Sequence, residues 1–148
     1  MSKSIETLVA PVTLTALRVV SGTLFLAHGL VKVIGFPAGA QPGAQPLLSL
    51  FGTGGVIELV TGLLLIVGLF TRPAAFIASG QMAVAYWLFH APANLYPAVN
   101  GGDAAILFSF IFLYIAAAGG GAYSLDALLA GERREKHVQR ELAVSRAR

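Results

Sequence analysis

The chain has 148 residues, of which 56% are hydrophobic and 11% are charged. Soluble domains carry about 25% charged residues, so this composition leaves too little polar surface to cover a small soluble globule. It also excludes intrinsic disorder, which requires low hydrophobicity and high charge. The class that remains is a polytopic membrane protein with one domain.

Cysteine content and charge distribution exclude further classes of protein. The chain has no cysteine, which excludes disulfides, zinc–thiolate sites, iron–sulfur clusters and thiol chemistry of its own. The net charge of +3 does not indicate a nucleic-acid partner, because most basic residues follow Gly131 and the preceding chain is apolar. We expect no metal site and no removable signal peptide.

Four apolar segments predict four transmembrane helices, at about residues 14–34, 53–70, 73–93 and 103–120. A spanning helix needs roughly 17–25 residues to cross the hydrocarbon core. Pro11 and Pro73 suit the first turns of the first and third helices, and the turn that ends at Asp103 suggests a helix N-cap. The sequence therefore predicts an all-α, four-helix transmembrane bundle over residues 1–130, followed by a basic tail over residues 131–148.

Orientation follows from the distribution of Lys and Arg along the chain. With four spans, both termini and the second loop share one side, and this side collects every Lys and Arg except Lys32. Basic residues favour the cytoplasmic side, so we expect both termini to be cytoplasmic and the basic tail to contact anionic lipid.

Ionisable residues within the apolar segments are the first candidates for a site, because such residues usually face the interior of a bundle. Arg18, His28 and Lys32 fall on one helical face about 80° wide at about 100° per residue. Glu58 enters the second helix at a height close to that of Lys32, so a Lys32–Glu58 pair beside His28 is expected. Gln81 follows near mid-depth of the third helix.

Two interpretations of these residues stay open. His28, Lys32, Glu58 and Gln81 either bind a ligand and handle protons or form a buried polar network that fixes helix register. A second polar cluster is expected at the cytoplasmic end of the bundle, where an anchor and salt-bridge set is favoured over ligand contacts. His90 and Trp87 are interpreted as interfacial anchors. The members of the cytoplasmic cluster are Arg18, Arg72 and Asp126.

Three motifs resemble a known family over residues 14–130. They are Arg18-Val-Val-Ser-Gly22 with Ala27-His28-Gly29-Leu-Val-Lys32, then Glu58-Leu-Val-Thr-Gly62 through Thr71-Arg72, then Gly121-Ala-Tyr123-Ser124-Leu125-Asp126. In order and spacing they resemble the DoxX family of bacterial proteins. The resemblance implies a four-helix protein of the inner membrane. Some members are subunits of a thiosulfate:quinone oxidoreductase, and others belong to redox complexes or accompany quinone-detoxifying enzymes.

Three functions from different classes are compatible with the sequence. The first is a redox-associated membrane subunit with a quinone-like ligand, or with haem held by His28 and His90, and a membrane or soluble redox partner. A quinone is favoured, because no haem-binding pattern is evident. The second is a non-catalytic scaffold or assembly factor. The third is a small oligomeric transporter or channel, which the absence of an evident pair of broken helices disfavours.

Overall fold

The structure is a computed structural model that describes the backbone of residues 3–146 and the side chains of residues 9–137. All regular structure in this part of the chain is helical, which confirms the expected all-α class. A π-helical turn, Tyr86–His90, continues the third helix directly. The helices are α1 (Lys3–Ile34), α2 (Leu50–Val67), α3 (Thr71–Ala85), α4 (Pro97–Asn100), α5 (Asp103–Ala118) and α6 (Leu125–Arg146).

Two of these helices are long and apolar enough to cross a membrane by themselves. They provide the segments Val9–Ile34, with 26 residues, and Leu50–Val67, with 18 residues. The apolar helix α5 is shorter, with 16 residues. The 15 residues of α3 continue into the 5 residues of the π-helical turn, so the two elements form one longer helical segment.

Several helix boundaries differ from those that the sequence suggests. Helix α1 begins at Lys3 rather than near residue 14, and Pro11 lies inside it instead of in its first turn. Hydropathy locates the part of a helix that enters the membrane, whereas helical backbone continues beyond it. Helix α2 begins at Leu50 because the Ser49 hydroxyl accepts a hydrogen bond from the Gly52 amide at 3.0 Å.

The later boundaries also have local causes. Helix α2 ends before Gly68, which has a φ of 71° that suits glycine, and α5 ends before Gly119. The sequence interpretation of Asp103 as an N-cap is wrong, because Gly102 has the capping position and Asp103 is the first residue of α5. The expected basic tail is helical as far as Arg146 within α6, while Ala147 and Arg148 lie outside the described residues.

The four long apolar segments pack in a closed order. Helix α1 contacts α2 most extensively, α3 contacts α5, and smaller contacts join α2 to α3 and α1 to α5. Phe25 of α1 meets Phe112 of α5 edge to face, with ring centroids 4.8 Å apart. The core is built from aromatic and small residues, namely Phe25, Leu65, Ala74, Ala75, Ala78, Met82, Phe112 and Ile115.

Glycines bring the backbones of α1 and α2 into direct contact. A Cβ atom added at Gly29 would lie 2.8 Å from the carbonyl oxygen of Gly55, and one added at Gly62 would lie 2.9 Å from that of Gly22. Each helix therefore presents a glycine to a glycine carbonyl of the other. Small residues at membrane helix interfaces allow this close approach, which increases van der Waals contact.

The close approach predicts the effect of adding one methyl group. Gly62→Ala should destabilise the fold by about 1–3 kcal/mol, because the new Cβ meets the backbone of α1, which cannot rotate away. The measurement is the thermal unfolding midpoint of the purified protein in detergent. The matched control is Gly80→Ala in α3, where an added Cβ meets nothing within 4 Å.

The control should be as stable as the wild type or slightly more stable, because alanine favours helix by roughly 0.5–1 kcal/mol over glycine. Equal unfolding temperatures for the two alanine variants would contradict the glycine contact between α1 and α2.

Candidate functional site

A cavity of about 660 Å³ lies among α1, α2, α3, the π-helical turn and α5. Its walls are mostly apolar, and its polar side chains come from separate helices. This combination, a few convergent polar groups in an apolar pocket, is typical of small-molecule sites. The polar and ionisable residues of its lining are His28, Lys32, Thr53, Glu58, Gln81 and His90.

The structure brings Lys32 and Glu58 together at this wall. The Nζ atom of Lys32 lies 2.5 Å from Oε1 of Glu58, and their side chains are 17% and 1% exposed. The glycine contact positions this pair, because a Cβ atom at Gly55 would lie only 2.6 Å from the Cβ of Lys32. A side chain at position 55 would therefore displace the lysine from the carboxylate.

Gln81 joins the ion pair from α3. Its Nε2 donates to the carbonyl oxygen of Gly54 at 3.0 Å and to Oε1 of Glu58 at 3.2 Å. Both partners are acceptors, so the network fixes which end of the amide is the nitrogen. Oε2 of Glu58 and Oε1 of Gln81 are buried and have no hydrogen-bond donor among the described residues. Two acceptor oxygens of the site thus lack a donor.

The two histidines line the cavity without bonding to the ion pair. Nδ1 of His28 lies 2.9 Å from the carbonyl oxygen of Leu24, and Nδ1 of His90 lies 3.0 Å from that of Asn100. A carbonyl accepts only, so each neutral ring carries its proton on Nδ1 and has Nε2 as an acceptor. Trp87 is 64% exposed and lies outside the lining, as does Asp103.

Arg18 lies at the middle of α1, toward the opposite end of the helix bundle from Lys32, and is only 1% exposed. Its guanidinium donates to the carbonyl oxygens of Leu65 and of Ile66, the latter at 2.9 Å, near the end of α2. It also donates to Gly120 at 3.1 Å and to Tyr123 at 2.6 Å, in the segment between α5 and α6. One side chain therefore ties three parts of the chain together through backbone carbonyls.

Asp126 and Arg72 complete this end of the molecule. The carboxylate of Asp126 accepts from the amides of Phe70 and Thr71, both at 2.9 Å, at the start of α3. Burial alone would raise the pKa of Asp126, but the hydrogen bonds from Thr71 and Phe70 and the charge of Arg18 outweigh it and lower the pKa. Asp126 therefore stays ionised at neutral pH and stabilises the N-terminus of α3.

Among the described side chains, the expected salt bridges between Arg18, Arg72 and Asp126 do not form. These side chains bond to backbone groups instead. Arg72 donates to the carbonyl oxygens of Ala116 at 3.1 Å and Ala117 at 2.7 Å, at the end of α5. Among the side chains described, the only ion pair is Lys32–Glu58. Arg18, Arg72 and Asp126 satisfy helix termini, whose last carbonyls and first amides have no partners within their own helix.

The sequence interpretation missed residues that shape the cavity. Gly54 and Gly80 both line it. Gly80 leaves open space, whereas Gly54 makes room for the amide of Gln81, which a Cβ atom there would meet at 3.3 Å. Phe51 and Phe89 also line it, with ring centroids 4.7 Å apart. A glycine in an apolar helix does not by itself predict a cavity. Other glycines of α1 and α2 allow the two helix backbones to touch and leave no space.

Comparisons with known proteins identify the sequence class. The family model described as DoxX matches residues 13–91, which include most of α1, all of α2 and α3, and the residues of the ion pair. A protein of Haemophilus influenzae described as uncharacterized is 42% identical over 123 residues, covering 78% of this chain and 90% of that protein. No solved structure matches the chain.

The buried ion pair predicts a large effect of removing one partner. Lys32→Ala should destabilise the fold by about 3–5 kcal/mol, because it leaves the Glu58 carboxylate buried without its counter-charge. Adding Glu58→Gln to the same chain should restore most of the loss, since a neutral amide costs less to bury. Thermal unfolding in detergent measures both effects. A Lys32→Ala variant as stable as the wild type would show that the pair contributes nothing.

Proposed function

The chain belongs to the DoxX family of membrane proteins, and from this premise we propose that it binds a quinone beside Lys32 and Glu58 as a subunit of a redox complex. In this proposal the chain crosses the bacterial inner membrane four times, with α1, α2, α3 with its π-helical turn, and α5 as the spans. Both termini are cytoplasmic. The charge distribution supports this orientation, because Lys32 is the only Lys or Arg at the cavity end among the residues that the structure describes.

The observation that carries the proposal is the unmatched polar chemistry at the wall of an apolar cavity. Lys32 is a hydrogen-bond donor, while Oε2 of Glu58 and Oε1 of Gln81 are buried acceptors without a donor among the described residues. A quinone offers carbonyl acceptors in its oxidised form and hydroxyl donors in its reduced form. One site with both a donor and acceptors suits both forms of such a ring.

The walls fit the rest of the quinone ring. Ligand pockets of about 300–1,000 Å³ hold drug-sized molecules, and this cavity has about 660 Å³. Phe25, Ile57, Met82 and Phe108 present apolar surface around the polar groups. These residues exclude water from the ring and leave its oxygens to the polar side chains.

Each polar residue of the site has its own role toward the quinone. A quinone supplies two-electron, two-proton chemistry when bound. Lys32 donates a hydrogen bond to a carbonyl oxygen, and the acceptors on Glu58 and Gln81 take hydrogen bonds from the hydroxyls of the reduced ring. Nε2 of His28 or His90 is a further hydrogen-bond acceptor at the wall of the same cavity. The chain has no cysteine, and a redox-protein partner delivers or removes the two electrons.

A scaffold function is the second candidate, and α6 favours it. This helix makes few contacts with the other helices in the described part of the chain, and Leu128 is 60% exposed on it. Arg133, Arg134 and Lys136 follow on the same helix. Such a helix can dock a partner protein whether or not the cavity binds a ligand, so occupancy of the cavity separates the two candidates.

The proposed function predicts that the ligand copurifies. Wild-type protein extracted from bacterial membranes in mild detergent should retain quinone at near one molecule per chain, measured by solvent extraction and mass spectrometry. Lys32→Arg should lower the retained quinone by at least about tenfold. The positive charge beside Glu58 is kept, but the wider planar guanidinium does not present its donors to a quinone carbonyl as the ammonium does. The unfolding temperature should change little.

The matched control is Lys136→Arg, the same change at an exposed position of α6. It should retain as much quinone as the wild type. The proposal fails if folded wild-type protein carries no quinone and binds none on addition. It also fails if Lys32→Arg protein retains the full amount.

A further inference from the structure

The cavity wall between α2 and α3 carries two apolar stripes, one on each helix. On α3, Ile77, Gly80 and Val84 follow at helical spacing, beside Gln81. Ile77 and Val84 are 52% and 53% exposed, so the stripe faces outward as well as into the cavity. A Cβ atom at Gly80 would meet nothing within 4 Å, which leaves open space at the middle of the stripe.

The facing stripe on α2 is also apolar and also contains one glycine. Leu50, Gly54 and Ile57 line the cavity at helical spacing, beside Glu58. Leu50 is 61% exposed. Helices α2 and α3 contact each other less than α1 contacts α2 or α3 contacts α5, and α1 and α5 contact each other less still, so the cavity has two candidate openings. Gly80 thus leaves open space beside Gln81, whereas a Cβ atom at Gly54 would meet Nε2 of Gln81 at 3.3 Å.

The side between α1 and α5 is a less suitable passage for an apolar chain. There the exposed lining residues are His28, Ala104 and, just before α5, Gly101. A passing hydrocarbon would have to displace polar contacts of the imidazole. On the side between α2 and α3 the exposed residues are apolar, apart from Thr53. The apolar side is therefore the lower-cost route from lipid to the polar groups.

We infer that the cavity opens sideways to the bilayer between α2 and α3, and that its ligand is a polyprenyl quinone whose tail extends through this opening. The inference rests on the proposed function and adds the class of quinone and its route. A cavity of about 660 Å³ holds the ring and a short part of the chain. The remainder of a polyprenyl tail must lie outside, and only a lateral opening keeps it in hydrocarbon.

The test compares two quinones with the same ring, one with a methyl group and one with a polyprenyl chain. Binding is measured to purified, quinone-depleted protein, with concentrations expressed as mole fractions in detergent micelles. Gly80→Leu fills the opening, because the new side chain occupies the space that the glycine leaves. Ala104→Leu is the matched control, because it adds comparable bulk to the opposite side of the same cavity.

Wild-type protein should bind both quinones. Gly80→Leu should weaken binding of the polyprenyl quinone by at least about tenfold and leave the methyl quinone within about threefold. Ala104→Leu should not discriminate between them. The inference is overturned if wild-type protein rejects the polyprenyl quinone, if Gly80→Leu affects both quinones equally, or if Ala104→Leu excludes the long chain instead. If wild-type protein binds neither quinone, the proposed function itself fails.

Discussion

The contact between Lys32 and Glu58 is the interaction on which the rest of the structure depends. A carboxylate that is 1% exposed inside an apolar helix pair requires a counter-charge at hydrogen-bond distance. Lys32 can supply it because glycines allow the backbones of α1 and α2 to touch, and Gly55 leaves space for the lysine stem. The same contact sets the position of α2 against α3, from which Gln81 reaches Glu58. The close contact between α1 and α2 therefore determines both the helix packing and the position of the polar groups of the site.

The polar side chains at the two ends of the molecule have different hydrogen-bond partners. At the Arg18 end, the charged side chains of Arg18, Arg72 and Asp126 bond to backbone carbonyls and amides at helix termini. Their donors and acceptors have partners there, which is typical of a structural role. At the cavity end, Glu58 and Gln81 each retain an acceptor oxygen without a donor in the part of the chain that the structure describes. In the proposed function a ligand adds hydrogen bonds to these two oxygens, whereas at the Arg18 end the hydroxyl of Thr71 is the buried polar atom without a partner among the described residues.

The sequence predicted the Lys32–Glu58 contact because helical rise is regular and buried charges require partners. It did not predict that Asp126 caps α3, since capping depends on how the chain turns between α5 and α6. The start of α1 was missed because hydropathy reports membrane depth and not backbone conformation. The sequence predicted a site of apolar walls with a few polar groups, but it did not predict the position or shape of the cavity. Its shape depends on Gly54 and Gly80, and a glycine leaves room only where the neighbouring helices do not approach it.

The most direct test of the central claim is photoaffinity labelling of the native membrane protein with a quinone that carries a photoreactive group on its ring. Peptide mapping by mass spectrometry then locates the label. The account predicts labelling in residues 50–58 of α2 and in residues 77–90 of α3 and its π-helical turn, with competition by unlabelled quinone. Label confined to α6, or spread along the lipid-facing surface without competition, would contradict a quinone site beside Lys32 and Glu58.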